Sequence, residues 1–454
     1  MKKAAYPNYL LGVLLIILAF NNVDSLALGL VLQGIKIELD LSDTQLGFLT
    51  GFAFALFYSV MGIPLARWAD RGNRVTVIAL TAAVWSLMVA LCGLAKSFSQ
   101  LLLIRVGVAV GEAGCTPPAY SLIADYFTRA ERPRAVSIYL LGGPLSGVIG
   151  YWLAGWLNQL YGWRMMFIII GFPGLVLAAL AWFTLKEPRR GEPATQVVRG
   201  DESDSPSRYG TRELGISQPS LKDVFVTLWA NRTLRHLLFS FSVMYFFGYG
   251  IVQWLPAFII RSYGVKTGEL GTWFAMIYGF GGILGTFGGG ELASRCAARN
   301  ERLQLKATAV AYSSLGIIFA FIYLSTDYHI ALALIALSAV GGTMASGPLF
   351  AMIQTLVPQR MRAVSIAIIY FFANLIGAGL GPLAVGALSD LFRQWAGEES
   401  LRYALLTLCP GYFWSGWHLW YASRTVARDL QNVSGGPDLT VQTLKSASGD
   451  LPCP

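Results

Sequence analysis

The chain has 454 residues, of which 55% are hydrophobic and 13% charged. That is about half the charged share of a soluble domain, so a single water-facing globule is excluded. The formal net charge of +9 does not mark a nucleic-acid surface, because the basic residues are dispersed in short connections between apolar runs.

Apolar runs long enough for a bilayer core recur along the whole length. They predict twelve transmembrane helices over 9–33, 44–66, 75–95, 98–126, 134–159, 163–185, 234–260, 268–293, 303–325, 328–356, 362–390 and 401–423. The first run is too long for a signal peptide and lacks a small-residue cleavage site. Of the 34 Lys and Arg, 26 fall in the N-terminus, the even-numbered connections and the tail, seven on the opposite side, and one, Arg105, inside a span. This asymmetry predicts both termini in the cytoplasm and a multi-pass protein of the cell (inner) membrane.

The fourth connection opens span five with RPRAVSI (132–138), and RMRAVSI (360–366) opens span eleven. Both copies run into Gly-Pro sequences, GGPLSGVIG (142–150) and GLGPLAVG (379–386). A match in register with topology predicts two duplicated halves of six spans. The expected organisation is 1–185, a cytoplasmic linker over 186–232, a second half over 233–424, and a tail over 425–454. Within the linker, LKDVFVTLWANR (221–232) has an amphipathic pattern and reads either as an interfacial helix or as a lead-in to span seven. NRT at 231–233 fits a glycosylation pattern but falls on the cytoplasmic side. Duplicated halves suit alternating access, in which one half rocks on the other around a central site.

Two carboxylates lie at mid-membrane depth, Asp24 in span one and Glu112 in span four. Burying either as an ion is expensive unless it is paired, so each is a candidate to carry a proton. Arg105 precedes Glu112 by seven residues, two turns along the same helix face. One reading gives Glu112 and Asp24 the proton exchange and Arg105 an anionic group of the cargo. The other is a static network in which Arg105 neutralises Glu112. Asn21 and Ser25 add neutral hydrogen-bonding capacity beside Asp24. The second half offers no mid-depth charge, only Tyr249, Trp254, Tyr370 and Asn374 among other polar and aromatic groups, which serve either cargo binding or packing. Together the halves suit an amphipathic anion, head toward the first and tail toward the second.

ARWADRGNR (66–74) marks a conformational latch in which Asp70 faces the start of span eleven while Arg71 and Arg74 pair with acids or lipid phosphates. Gly143, Pro144, Gly147, Gly381 and Pro382 are expected to permit close helix approach. The five cysteines and three histidines have no metal or disulfide spacing. No P-loop is present, so the energy source is expected to be a proton gradient, with no cofactor. A membrane enzyme would need a catalytic cluster at one interface, and none is present. The intact mid-membrane acids argue against a transport-dead sensor.

The sequence resembles the major facilitator superfamily over nearly all twelve spans. ARWADRGNR is similar to its GxxxDRxGRR-type signature, RVGVAVGEA (105–113) to its RxxxGxGxA signature, and GPLSGVIG to its antiporter Gly-Pro motif. The counterpart in the second half, GELASR (290–295), lacks the acidic residue before its Arg, with Ser294 in that place. LSDTQLGFLTGFAFALFYSVMGIPLARWADR (41–71), VGEAG (110–114), WLPAFIIRSYG (254–264) and NLIGAGLGPLAVGALSD (374–390) resemble the spinster-like branch. That resemblance implies a proton-coupled porter, which in animal relatives moves sphingosine phosphate or lysophospholipids. The expected protein is a monomeric exporter of lysophospholipid-like or sphingoid-phosphate-like anions, with membrane lipids and protons as partners. The resemblance also implies an Asp, a Glu and an Arg at positions 24, 112 and 105. The branch commonly carries Asp-Arg where this chain has Asp24-Ser25, so one expected cation is missing. Small organic anions or drugs remain the alternative cargo.

Overall fold

The chain begins as one long helix, α1 (Tyr6–Leu39), and every later element of the computed structural model is a helix packed on its neighbours. The structure describes residues 6–128, 130–188, 221–296, 300–344 and 361–434, with 349, 352, 353 and 355–358 between the last two. Most of the expected linker, the end of span ten and most of the tail lie outside these residues.

In chain order follow α2 (Asp43–Arg71), α3 (Arg74–Cys92), α4 (Phe98–Tyr126), α5 (132–161) and α6 (163–184). A short helix, α7 (Leu221–Ala230), leads into α8 (Arg232–Tyr263), α9 (Thr267–Cys296), α10 (Glu301–Leu324), α11 (Tyr328–Met344), α12 (362–396) and α13 (400–434).

Local chemistry explains the ends. Ser42 and Gln45 form a reciprocal capping box at the start of α2. Asn73, Asn231 and Asn300 each accept a backbone N–H at the starts of α3, α8 and α10. Asn231, the first residue of NRT, is thus a helix cap. Gly264 closes α8 at φ 67°.

Nine helical stretches among the described residues are long and apolar enough to cross a membrane. Two of them double back at a glycine of positive φ: Gly162 at 79°, dividing α5 from α6, and Gly397 at 55°, dividing α12 from α13. With both arms of each counted, and with the shorter apolar α11 added, the architecture accommodates the twelve expected spans.

Two departures from regular helix matter later. Phe48–Phe52 in α2 and Ala373–Gly379 in α12 are π-helical, and the two segments touch across the interface between the halves. Gly51 is where they meet: a Cβ there would run into the carbonyl of Gly379 and lie 3.2 Å from that of Ala378.

Each half is internally braced. In the first, Arg74 of α3 is wholly buried and ties α3 to α4 and to the segment that follows α6. Its Nη1 donates to Ser121 Oγ at 2.8 Å, its Nε to Glu187 Oε1 at 3.1 Å, and its Nη2 lies 2.7 Å from Asp125 Oδ2. In the second, Asp429 accepts from the Thr233 N–H at 2.9 Å and hydroxyl at 2.7 Å, tying α13 to the start of α8. α7 buries Val224 and Leu228 and packs against α8 and α12.

Candidate functional site

The first half supplies a buried ion pair. Asp24 and Arg105 are 0% and 1% exposed, and Arg105 Nη1 donates to Asp24 Oδ2. Glu112, two turns along α4, is also buried, and its carboxyl neighbours that of Asp24. The sequence spacing did place Arg105 and Glu112 on one face, yet the arginine is bonded to the acid on the adjacent helix. Arg105 also sits 5.3 Å over the Phe54 ring. Glu112 Oε1 and Asn21 Nδ2 have no hydrogen-bond partner among the described residues.

Glu112 and Asn21 line a polar cavity of 250 Å³ between the halves, together with Ser25, Phe54, Tyr58, Tyr249, Gln253, Asn374 and Pro382. Asp24 and Arg105 are not on its wall, and Phe54 stands on the wall in front of Arg105. A second cavity of 430 Å³ runs along the seam, sharing Asn22, Ser25, Tyr249 and Gln253 with the first. A third, of 310 Å³, lies within the second half and shares Tyr249, Tyr278, Gly282 and Thr343 with the seam.

The expected cargo residues therefore divide. Asn21, Ser25, Tyr249 and Asn374 line the central cavities. Trp254 does not: it is fully buried, donates its Nε1–H to the carbonyl of Pro382 at 2.9 Å, and packs α8 on α12. Tyr370 lies outside the described cavity walls and meets the Tyr245 ring edge-on at 6.3 Å. The Gly-Pro expectations divide too. A Cβ at Gly143 would meet nothing within 4 Å and one at Gly147 only Tyr278 at 3.9 Å, so the expected close approach is absent there. With Pro144 these residues form cavity wall. Gly381 packs against the backbone of Gly250, and Pro382 against Gly47. Of the expected latch, Asp70 and Arg71 are exposed at the end of α2, and Arg74 pairs with Asp125 and Glu187.

The contacts that close the molecule lie elsewhere, at the end away from the termini, and sequence reasoning missed them. Asp43 is 0% exposed at the start of α2. It receives Arg261 Nη1 at 2.8 Å and Nη2 at 2.7 Å, Lys36 Nζ at 2.7 Å and Ser389 Oγ at 2.6 Å. Asp390 answers by accepting the backbone N–H of Asp43 at 3.0 Å and of Thr44 at 2.7 Å. Asn158 Nδ2 donates to Thr267 Oγ1 at 3.1 Å, and Gln159 Oε1 accepts the Gly268 N–H at 2.9 Å, so α5 and α9 are also joined there. The available signal was a repeated tripeptide: Leu-Ser-Asp stands at 41–43 and again at 388–390.

The buried pair makes one stability prediction. Arg105→Leu leaves the Asp24 carboxylate buried without its cation, a loss of about 3–5 kcal/mol. Thermal unfolding in detergent should show a marked fall, largely reversed by adding Asp24→Asn. A single variant as stable as the wild type would show that the pair contributes nothing.

The sequence profile of the Major Facilitator Superfamily matches residues 11–396. An "MFS-type efflux pump" of Mycolicibacterium smegmatis is 33% identical over 427 residues, covering 92% of this chain and 93% of that protein. A "Probable L-galactonate transporter" of Escherichia coli is 24% identical, covering 85% and 82%. Among solved structures, a bacterial homolog of the human lysosomal transporter spinster, inward-facing and unoccupied, superposes with a TM-score of 0.78 at 29% identity, covering 93% of this chain and 98% of that one. Profile, relatives and two-half helical architecture agree: this chain is a multi-pass membrane protein belonging to the major facilitator superfamily.

Proposed function

We propose that the chain is a proton-coupled secondary transporter of an amphipathic organic anion, with Glu112 as the group that takes up and releases the proton. One observation carries this reading. A carboxyl lies on the wall of a cavity between two halves, one of its oxygens unpartnered, beside a second carboxyl already committed to an arginine. Intramembrane ionisable groups facing a cavity mark ion and substrate pathways. The names carried by the efflux pump and the galactonate transporter support an organic cargo. With the termini in the cytoplasm, which the Lys and Arg distribution supports, the closed Asp43 end faces outward and the cavities belong to an inward-facing state. That is also the state named for the spinster homolog.

The coupling sign follows from electrostatics. An anion beside Glu112 favours its protonated form, so proton and cargo occupy the cavity together. In liposomes with an imposed pH difference, a lysophospholipid or a hexuronate is then expected to accumulate on the alkaline side. Accumulation on the acidic side would mean exchange, the sign expected from the Gly-Pro motif. Flux indifferent to the pH difference sinks proton coupling altogether. The same pair of cargoes separates the amphipathic reading from the small-acid alternative, which the polar 250 Å³ cavity favours by its size.

A further inference from the structure

The cavity inside the second half has a composition that a plain alkyl chain does not require. Five tyrosines line it: Tyr245, Tyr249, Tyr278, Tyr312 and Tyr412. Tyr312 is 1% exposed, and its hydroxyl has no hydrogen-bond partner among the described residues. The floor is open at glycine, since a Cβ on Gly282 or Gly342 would meet nothing within 4 Å. A cavity of about 150 Å³ holds a benzene, so 310 Å³ holds a substituted or fused ring. Ring walls favour a flat aromatic guest, through offset and edge-on contacts that a saturated chain does not make.

We propose that this cavity is the subsite for the apolar end of the cargo, and that this end is an aromatic ring bearing a hydrogen-bonding oxygen that meets the Tyr312 hydroxyl. The proposal rests on the transport reading above and narrows its cargo from amphipathic anions in general to aromatic ones. Tyr249 lines this cavity and the polar one alike. A ring seated against Tyr312 can therefore leave its anionic group on the Glu112 side. A guest without the oxygen leaves a buried hydroxyl unpaired, which disfavours it about tenfold or more.

The test uses the full chain in detergent and three probes: phenylhexanoate, its para-hydroxyl derivative and decanoate, titrated by calorimetry. The wild-type protein is expected to bind the hydroxylated ring about tenfold more tightly than the plain ring, and decanoate most weakly. Tyr312→Phe should abolish or reverse the preference for the hydroxylated ring without weakening the plain one. Gly342→Leu, which fills the floor from open space, should abolish binding of both. Equal binding of the two rings by the wild type, a preference that survives in Tyr312→Phe, decanoate matching the hydroxylated ring, or no binding of any probe each overturns the subsite. No membrane or pH gradient enters this measurement. Failure here beside gradient-driven flux removes only the subsite, whereas ring binding without such flux removes only the transport reading.

Discussion

Glu112→Gln is expected to reduce pH-driven accumulation of cargo to that of protein-free liposomes while leaving exchange of cargo for cargo intact. Glutamine keeps the size and hydrogen-bonding shape of a protonated glutamate but never releases a proton, so the cavity is held in its neutral form. The ionised form at this depth costs about 3 kcal/mol on insertion scales, which is why a change of charge there weighs on the whole cavity. Stability should change little, within about 1 kcal/mol, because Glu112 Oε1 already makes no hydrogen bond among the described residues. The decisive comparison is gradient-driven flux against counterflow in the same preparation. If the variant still concentrates cargo on a pH gradient, the proton travels by another group.

The second large effect belongs to the closure at the Asp43 end. Asp43→Ala removes the acceptor shared by Arg261, Lys36 and Ser389. It leaves Arg261, only 6% exposed, facing the seam without its acid. In the state open at that end, water replaces the lost acceptor, so the penalty falls on the closed state alone. Losing one partner of a buried pair costs about 3–5 kcal/mol, and each 1.4 kcal/mol is about tenfold in population. A shift of about a hundredfold or more toward the state open at the Asp43 end is therefore expected. Spin labels at Asp40→Cys and Glu398→Cys, which flank the closure on opposite halves, should report a longer distance in Asp43→Ala. Adding Arg261→Ala should recover part of the short-distance population, because the stranded cation is then gone. Unaltered distances would mean that the glycine contacts of α2 with α12 hold that end shut without the charges.

The sequence disclosed what is costly in a membrane and concealed what is cheap. The apolar helices and the burial of the acids at 24 and 112 were legible because long apolar runs and charges inside them are costly to carry and stand out in a sequence. The partner of Arg105 was not, since spacing along α4 says which residues share a face but not which neighbouring helix supplies an acid. Asp43 went unseen for the opposite reason. A carboxylate at the end of a span is unremarkable there, and only the return of Leu-Ser-Asp at 388–390 hinted that two span ends meet. Gly143, expected to pack, stands on a cavity wall, and of the two roles open to Trp254 the structure has packing, because composition does not tell which side of a helix looks into a cavity.

The two wide turns, Phe48–Phe52 and Ala373–Gly379, meet where Gly51 lies against the carbonyls of Ala378 and Gly379. Main chain bears on main chain at that point, with only the small side chains of Pro382 and Ala55 alongside, so little interlocks there. A single methyl group added at Gly51 would act as a wedge driven into an axle. The tolerance of this protein to change should accordingly be low not only where its charges are, but also at a residue that has nothing to offer except its absence of bulk.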